Sequence, residues 1–311
     1  MPMCWIVFSL IILLLIPAAV EECYRLVFSV PKKGEEAIFA LPETEQYRPF
    51  AETTRGMIRA ALDMEYEPVS IVSHDGLKLF GKVYASDADA PWLILFHGYR
   101  SRAERDFCGG LRFGVESGDN VLLVDQRAQG RSEGKCLSFG VLERRDCLSW
   151  VNFVVSRAGE GAKIVLYGMS MGAATVLMAA GLKLPENVVG IVADCGYTAP
   201  EAIIKTVIRK YHLPVFPIYP LIRLGGRLFG GFDLEEASAA RVMDECDIPV
   251  LFIHGGDDRF VPCDMGRENY AHCRSAGKEL LIVPGAGHGM SYMVDKTAYL
   301  TAVSTFLNKI R

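Results

Sequence analysis

The sequence has nine cysteines, at positions 4, 23, 108, 136, 147, 195, 246, 263 and 273, but no CxxC pair. Zinc-ribbon and thioredoxin-like chemistry needs closely spaced thiolates, so neither has support. An odd number without framework spacing points to free thiols in a reducing compartment, and those inside apolar runs read as small buried hydrophobes. Basic runs are missing too. Lys and Arg number 33 against 37 Asp and Glu, a net charge of −4, which offers no electrostatic footprint for nucleic acid. Internal repeats, low-complexity tracts and long linkers are also absent, which excludes solenoids. What remains is a chain of 311 residues, half of them hydrophobic, the size of one large α/β domain or two small ones.

One stretch lacks charge altogether. Met3 to Val20, "MCWIVFSLIILLLIPAAV", is 18 residues long. As a helix it would extend about 27 Å, close to a bilayer core. It exceeds a usual signal-peptide apolar region, and no Lys or Arg precedes it. The expectation is one N-terminal membrane anchor over residues 1–22. Arg25, Lys32 and Lys33 follow the run, which by the positive-inside bias puts the rest of the chain in the cytoplasm. A signal peptide cleaved near Ala18, Ala19 and Val20, giving a secreted protein, is the alternative.

Beyond residue 65 apolar runs alternate with helical patterns. Strands are expected at Val69–Ser73, Leu77–Ala85, Trp92–Phe96, Asn120–Asp125, Lys163–Tyr167, Val189–Asp194, Val250–His254 and Glu279–Val283. His74-Asp75-Gly76 between the first two is a hairpin signal. Later runs such as "WLILF" and "VLFI" are continuously apolar, as in strands buried on both faces of a parallel sheet. Helices are expected at 141–157, 171–182, 200–211, 264–275 and 294–310. The alternation predicts an α/β fold with an eight-stranded, mostly parallel sheet and helices on both faces. Chemistry in such folds sits at the carboxyl ends of the strands. The interval of about 55 residues before Val250 is longer than a crossover needs. Its "YHLPVFPIYPLIRLGGRLFGGF", rich in aromatics, Pro and Gly, reads as a small lid over about 197–246. Residues 23–65 are left as a membrane-proximal segment and 66–311 as the main domain.

At the end of "KIVLY" and the start of "AATVLMAA" stands Gly168-Met169-Ser170-Met171-Gly172. A serine hydroxyl is a poor nucleophile unless it has exposure, a base and a place for negative charge. A tight strand-to-helix turn exposes it, and Gly168 and Gly172 leave room for that turn. The helix start aims backbone N–H groups and the positive dipole end at the same place. A Gly/Ser turn with Ser170 as an ordinary N-cap is the plain alternative.

The elbow requires an acid and then a histidine later in the chain. Histidine is scarce: 74, 97, 212, 254, 272 and 288. The first two precede Ser170, and His97 reads as a loop brace. His212 falls in the lid, His254 ends a strand, and His272 lies on a solvated helix. His288, in the Gly-rich loop "PGAGHGM" after the last strand, is the expected base. "VLFIHGGDDRFVP" offers Asp257 and Asp258, of which Asp258 is favoured, with Asp257 a turn residue and Asp194 a further candidate. An oxyanion site is expected from the N–H groups of Met171 and of Tyr99 in "WLILFHGYRSR".

With "LFHGYRSR", "LLVDQRAQGRSEG", "LYGMSMGAA", "LFIHGGDDRFVP" and "GAGHGM" in order over residues 95–290, the chain resembles the α/β-hydrolase superfamily. "DQRAQGRSEG" followed by "ERRDCLSWV" resembles a subgroup of bacterial serine hydrolases that often carry an N-terminal anchor. Ala128 and Gln129 depart from the "RGHG" spelling common there. The resemblance implies attack by Ser170 on a carbonyl carbon, with His288 taking its proton, Asp258 orienting the imidazole, and Tyr99 and Met171 holding the oxyanion. It implies no metal and no organic cofactor. The apolar lid and the anchor point to a small-molecule substrate, a carboxylic ester with a hydrophobic or medium-chain acyl group. A thioesterase, amidase or peptidase with the same triad, or a hydrolase-like protein that binds without turnover, are the competing readings.

Overall fold

The computed structural model describes residues 2–31 and 34–311, with residues 2–14 and Glu35 described by backbone alone. Eight strands form one sheet: β1 (Glu67–Val72), β2 (Lys78–Tyr84), β3 (Trp92–Phe96), β4 (Asn120–Val124), β5 (Ile164–Met169), β6 (Val188–Asp194), β7 (Val250–Gly255) and β8 (Glu279–Val283). Their spatial order is β1-β2-β4-β3-β5-β6-β7-β8. β2 is antiparallel to β1 and β4, and every pair from β4 onward is parallel. This is the expected sheet, and its central strands β3, β4 and β5 are buried almost throughout, which is why their sequences do not alternate. The β1–β2 turn closes with Ser73 N donating to Leu77 O, and Gly76 supplies φ +87°.

The helices are α1 (Pro2–Phe28), α2 (Ala51–Leu62), α3 (Ala103–Asp106), α4 (Cys108–Glu116), α5 (Glu143–Ala158), α6 (Met171–Ala179), α7 (Pro200–Lys210), α8 (Val215–Gly225), α9 (Ala239–Met243), α10 (Cys263–His272), α11 (Ser291–Val294) and α12 (Lys296–Ile310). Two apolar clusters lie on opposite faces of the sheet. One gathers Trp150 of α5, the apolar residues of α6 and Phe252, and the other gathers Ile58, Phe107, Tyr299 and Phe306. α6 is buried along its whole length, so it is apolar all round rather than amphipathic. The eight described cysteines are free.

Two expectations change here. α1 runs eight residues past the uncharged stretch, to Phe28. Its last turns belong to the domain: Phe28 is fully buried, edge-on to Phe139 and Phe232. Leu137 N donates to Phe28 O, and Ser29 bridges Cys136. Among the described residues no helix is long and apolar enough to cross a membrane. Most of the stretch expected to do so, residues 3–14, lies outside the residues whose side chains are described.

The second concerns residues 34–65. Placed outside the main domain in the sequence reading, they pack onto it. A short 3-10 turn (Glu35–Phe39) leads to α2, whose Ile58 and Ala61 join the core beside α4. The interval 197–246 forms α7, α8, a π-helical turn (Gly226–Gly230) and α9. It faces α1, where Gly225 lets the Tyr24 side chain and the Val20 carbonyl come close and Tyr24 meets Phe229.

Candidate active site

β5 ends at Met169 and α6 starts at Met171, so Ser170 alone makes the turn. Its φ of 57° and ψ of −115° are strained for a residue with a Cβ. The backbone is held there by Ser170 N donating to Asp194 O at 2.8 Å. The flanking glycines are sterically required. A Cβ on Gly168 would lie 2.2 Å from Gly172 O, and one on Gly172 would lie 1.8 Å from Phe96 O at the end of β3.

His288 stands in the loop after β8, between Gly285 and Gly289, both at positive φ. Its Nε2 is 2.9 Å from Ser170 Oγ, and its Nδ1 is 2.7 Å from Asp258 Oδ2. The loop after β7 fixes Asp258, whose Oδ1 accepts from Phe260 N and Val261 N at 2.8 and 2.9 Å. Burial acts to raise the Asp258 carboxyl pKa. The hydrogen bonds and charge of His254 and His288 outweigh it and hold the group well below the usual carboxylate range. An ionised Asp258 accepts from Nδ1–H, which leaves Nε2 as the acceptor for the serine O–H.

The other candidates separate cleanly. Asp257 is exposed and turned away, and its carbonyl accepts from Gln46 Nε2 at 3.0 Å. Asp194 is buried and accepts from Tyr299 O–H at 2.9 Å, with its other oxygen unpartnered. Burial, against the hydrogen bond from Tyr299, pushes its carboxyl up to about 6. His272 pairs with Asp244 on the surface. His97 braces its loop: Nδ1 lies 3.0 Å from Gly98 O, and Nε2 accepts from Gln126 N at 3.2 Å.

The loop after β3 comes beside Ser170. A Cβ on Gly98 would lie 3.3 Å from Ser170 Cβ. Among the described residues the N–H groups of Tyr99 and Met171 have no protein partner, so both are free to donate to an oxygen beside Ser170. Sequence reading missed what holds this loop. Asp106 Oδ2 accepts from Gly98 N at 2.7 Å, and its Oδ1 accepts from the Ser101 hydroxyl. On the outer side Tyr99 O–H donates to Val27 O at 2.7 Å, and Arg100 Nη2 donates to Leu26 O and Ser29 O at 2.8 and 2.5 Å. The end of α1 lacks intrahelical donors for its last carbonyls, and Tyr99 and Arg100 supply them. The only sequence signal was the position of these residues just after the HG pair.

A cavity of ≈ 230 Å³ opens at Ser170 and His288. Its walls are mostly apolar, among them Phe107, Met169, Met290 and Tyr292, and its cover is Leu41, Pro42 and Tyr47. Tyr47 O–H donates to His288 O. No residue of 197–246 lines this cavity, so the expected lid is not its cover. Part of the apolar surface of that interval, at Gly225, Phe229 and Phe232, packs on α1 instead. A second cavity, ≈ 580 Å³, lies on the other side of Tyr47 and His288 and carries Lys210 and Arg259. His74, Asp75 and Asp146 have metal-ligand spacing, but Arg127 donates to both carboxylates, at 2.9 and 2.6 Å. That group is an ion-pair network at the hairpin turn, with Arg127 and Asp146 buried and His74 and Asp75 exposed.

The family model described as the alpha/beta hydrolase family matches residues 93–300. The chain belongs to the alpha/beta hydrolase family. Over 197 residues it is 32% identical to the uncharacterized protein YqkD of Bacillus subtilis, covering 63% of this chain and 64% of that one, a little under two thirds of that relative's length. It is similar, at 32% identity over 118 residues and 37% of each chain, to thiohydrolase aneE of Aspergillus aculeatus. Among solved structures the Pyrococcus furiosus esterase Pf2001 matches with a TM-score of 0.63 and 25% identity, over 81% of this chain and 95% of that one. Residues 41–64, which cover the Ser170 cavity on one side, precede the family-matched region.

Proposed function

We propose that this alpha/beta hydrolase cleaves carboxylic esters through an acyl-enzyme on Ser170. The observation that carries the reading is the chain of contacts from Ser170 Oγ through His288 to the buried Asp258, at 2.9 and 2.7 Å. His288 takes the serine proton as Oγ attacks the carbonyl carbon, and Asp258 stabilises the resulting imidazolium. The N–H groups of Tyr99 and Met171 receive the tetrahedral oxyanion, each worth about 3 kcal/mol in the transition state. Collapse expels the alcohol, protonated by His288, and water then repeats the sequence to release the acid. The mostly apolar walls of the cavity favour a hydrophobic acyl group, and the similar Pf2001 is an esterase.

A thioester substrate is the second reading. Lys210 and Arg259 beside His288 would suit an anionic leaving group, and the similar aneE is named a thiohydrolase. The deciding test is hydrolysis of p-nitrophenyl esters and acyl thioesters by the wild type, Ser170→Ala and His288→Ala, with fluorophosphonate labelling alongside. Turnover and labelling lost with Ser170 support the serine mechanism. A folded protein that neither labels nor turns over any acyl substrate overturns it.

We also propose that the uncharged run 3–20 tethers the chain to a membrane, with the catalytic domain on the cytoplasmic side. The sequence supports this through the run's length and the cations Arg25, Lys32 and Lys33 that follow it. Alkaline carbonate extraction of cells expressing the full chain tests it. Release into the supernatant would exclude an integral anchor.

A further inference from the structure

The cavity at Ser170 is small. At ≈ 230 Å³ it falls below the usual range for a pocket that encloses a whole ligand. It does not end blindly. A groove of ≈ 730 Å³ adjoins it and shares three of its lining residues, Cys108, Gly109 and Tyr292. The groove runs between α2, α4 and the start of α12, on the side of the sheet away from residues 197–246.

Its chemistry is that of a hydrocarbon channel. α2 presents Thr53, Gly56, Met57, Ala60 and Met64 to it, positions spaced as one face of a helix. The small residues at 56 and 60 leave the space, and the methionines give a wall that adapts to a flexible chain. Opposite stand Phe113 and Leu300. Of its charged lining residues, Arg112 is paired with Glu116 at 2.6 Å, and Lys296 stands over the Tyr292 ring, 5.7 Å from the centroid.

Between cavity and groove is a narrow partition. The Tyr292 ring lies against Gly109, and a Cβ built on Gly109 would come 2.6 Å from two ring atoms and 3.1 Å from Met57 Cε. Tyr292 also stacks edge-on against Tyr299, which lines the Ser170 cavity. A glycine here is the condition for the ring to sit where it does, between the two spaces.

We infer that the groove is the distal half of the acyl-binding site. A long-chain acyl group, esterified or thioesterified, starts at Ser170, passes between Gly109 and Tyr292 and ends against α2. This rests on the acyl-transfer reading above and narrows it to long chains. It also assigns α2, which precedes the family-matched region, to substrate selection.

The test separates binding from turnover. Full-length Ser170→Ala protein is titrated with palmitate and with butyrate, each below its aggregation limit, alone and with Ala60→Trp or Gly109→Val added. Palmitate should bind at least tenfold more tightly than butyrate. Ala60→Trp, which fills the groove from an exposed helix position, should remove most of that preference, and Gly109→Val should do the same at the partition. In the Ser170 background the same substitutions should lower the ratio of kcat/KM for palmitoyl over butyryl p-nitrophenyl esters at least tenfold, with fluorophosphonate labelling retained in Ala60→Trp. Palmitate binding no tighter than butyrate, or a preference unmoved by Ala60→Trp, overturns the inference. Palmitate binding that Ala60→Trp abolishes, in a protein that turns over no ester or thioester, supports the groove and sinks the hydrolytic reading instead.

Discussion

Residues 197–246 read in sequence as the lid and residues 41–64 as part of a segment outside the main domain, and the two ended in opposite places. The first is inside the family-matched region, rich in aromatics and on the expected side of the sheet, yet it lines no part of the Ser170 cavity. The second precedes that region and has no periodicity until α2, yet it covers the cavity and touches both loops of the relay through Tyr47 and Gln46. The difference is in what each segment must bury. Part of the apolar surface of 197–246 packs on α1, where Gly225, Phe229 and Phe232 meet Val20, Tyr24 and Phe28, while Phe216 and Leu228 stay exposed and none of it lines the cavity. The cover is fastened by polar contacts to the His288 and Asp257 loops, and only α2 contributes a hydrophobic face.

The comparison can be sharpened from the centre outward. Ser170→Ala and His288→Ala should each reduce kcat by roughly 10⁴-fold or more on any ester turned over, with no change in fold by circular dichroism. Asp258→Asn should cost about 10³- to 10⁴-fold, because the amide no longer selects the Nδ1–H tautomer. Asp194→Asn should cost far less, and equal losses would mean that the wrong acid has been placed in the relay.

Stability comes next. Phe28→Ala removes a fully buried ring from between Phe139 and Phe232 and should destabilise the domain by about 3–5 kcal/mol in urea denaturation. A change under 1 kcal/mol would mean that α1 is not part of the domain, and the contrast between the two segments would collapse. Asp194 gives a pH signature. Its folded-state pKa of about 6 lies above the unfolded value, so the folded state holds its proton while the unfolded state releases it. Wild type should therefore lose stability relative to Asp194→Asn as pH rises from about 4 to 6, by on the order of 2–3 kcal/mol, with no further difference above that window. A flat difference curve across pH 4–6 would show an ordinary carboxyl.

The smallest effects test the two covers directly. Tyr47→Phe deletes one hydrogen bond to the His288 carbonyl and should lower kcat/KM about three- to tenfold on a short water-soluble ester. Leu228→Ser, on the exposed face of the other segment, should change it less than about twofold. The reverse pattern would make 197–246 the working lid.

The sheet was legible because buried parallel strands are continuously apolar, and "WLILF" and "VLFI" can be little else. Ser170, His288 and Asp258 were legible because each follows such a strand in the order the chemistry needs. Asp106 and Arg100 were not, since a carboxylate and a guanidinium in a polar loop carry no mark of the backbone groups they will meet. The role of 197–246 was misjudged because an apolar surface shows in sequence but the surface it packs on does not.

The sequence by itself determined the strand order in the chain, the elbow at Ser170 and the residue types of the relay. These follow from local rules: side-chain period, the room a glycine leaves, and chain order along a doubly wound sheet. Tertiary structure alone decided which segment covers the cavity and where the end of α1 is held. Those are pairings between residues as much as 241 positions apart, as Tyr47 and His288 are, and a pairing is settled only when the competing partners are in place.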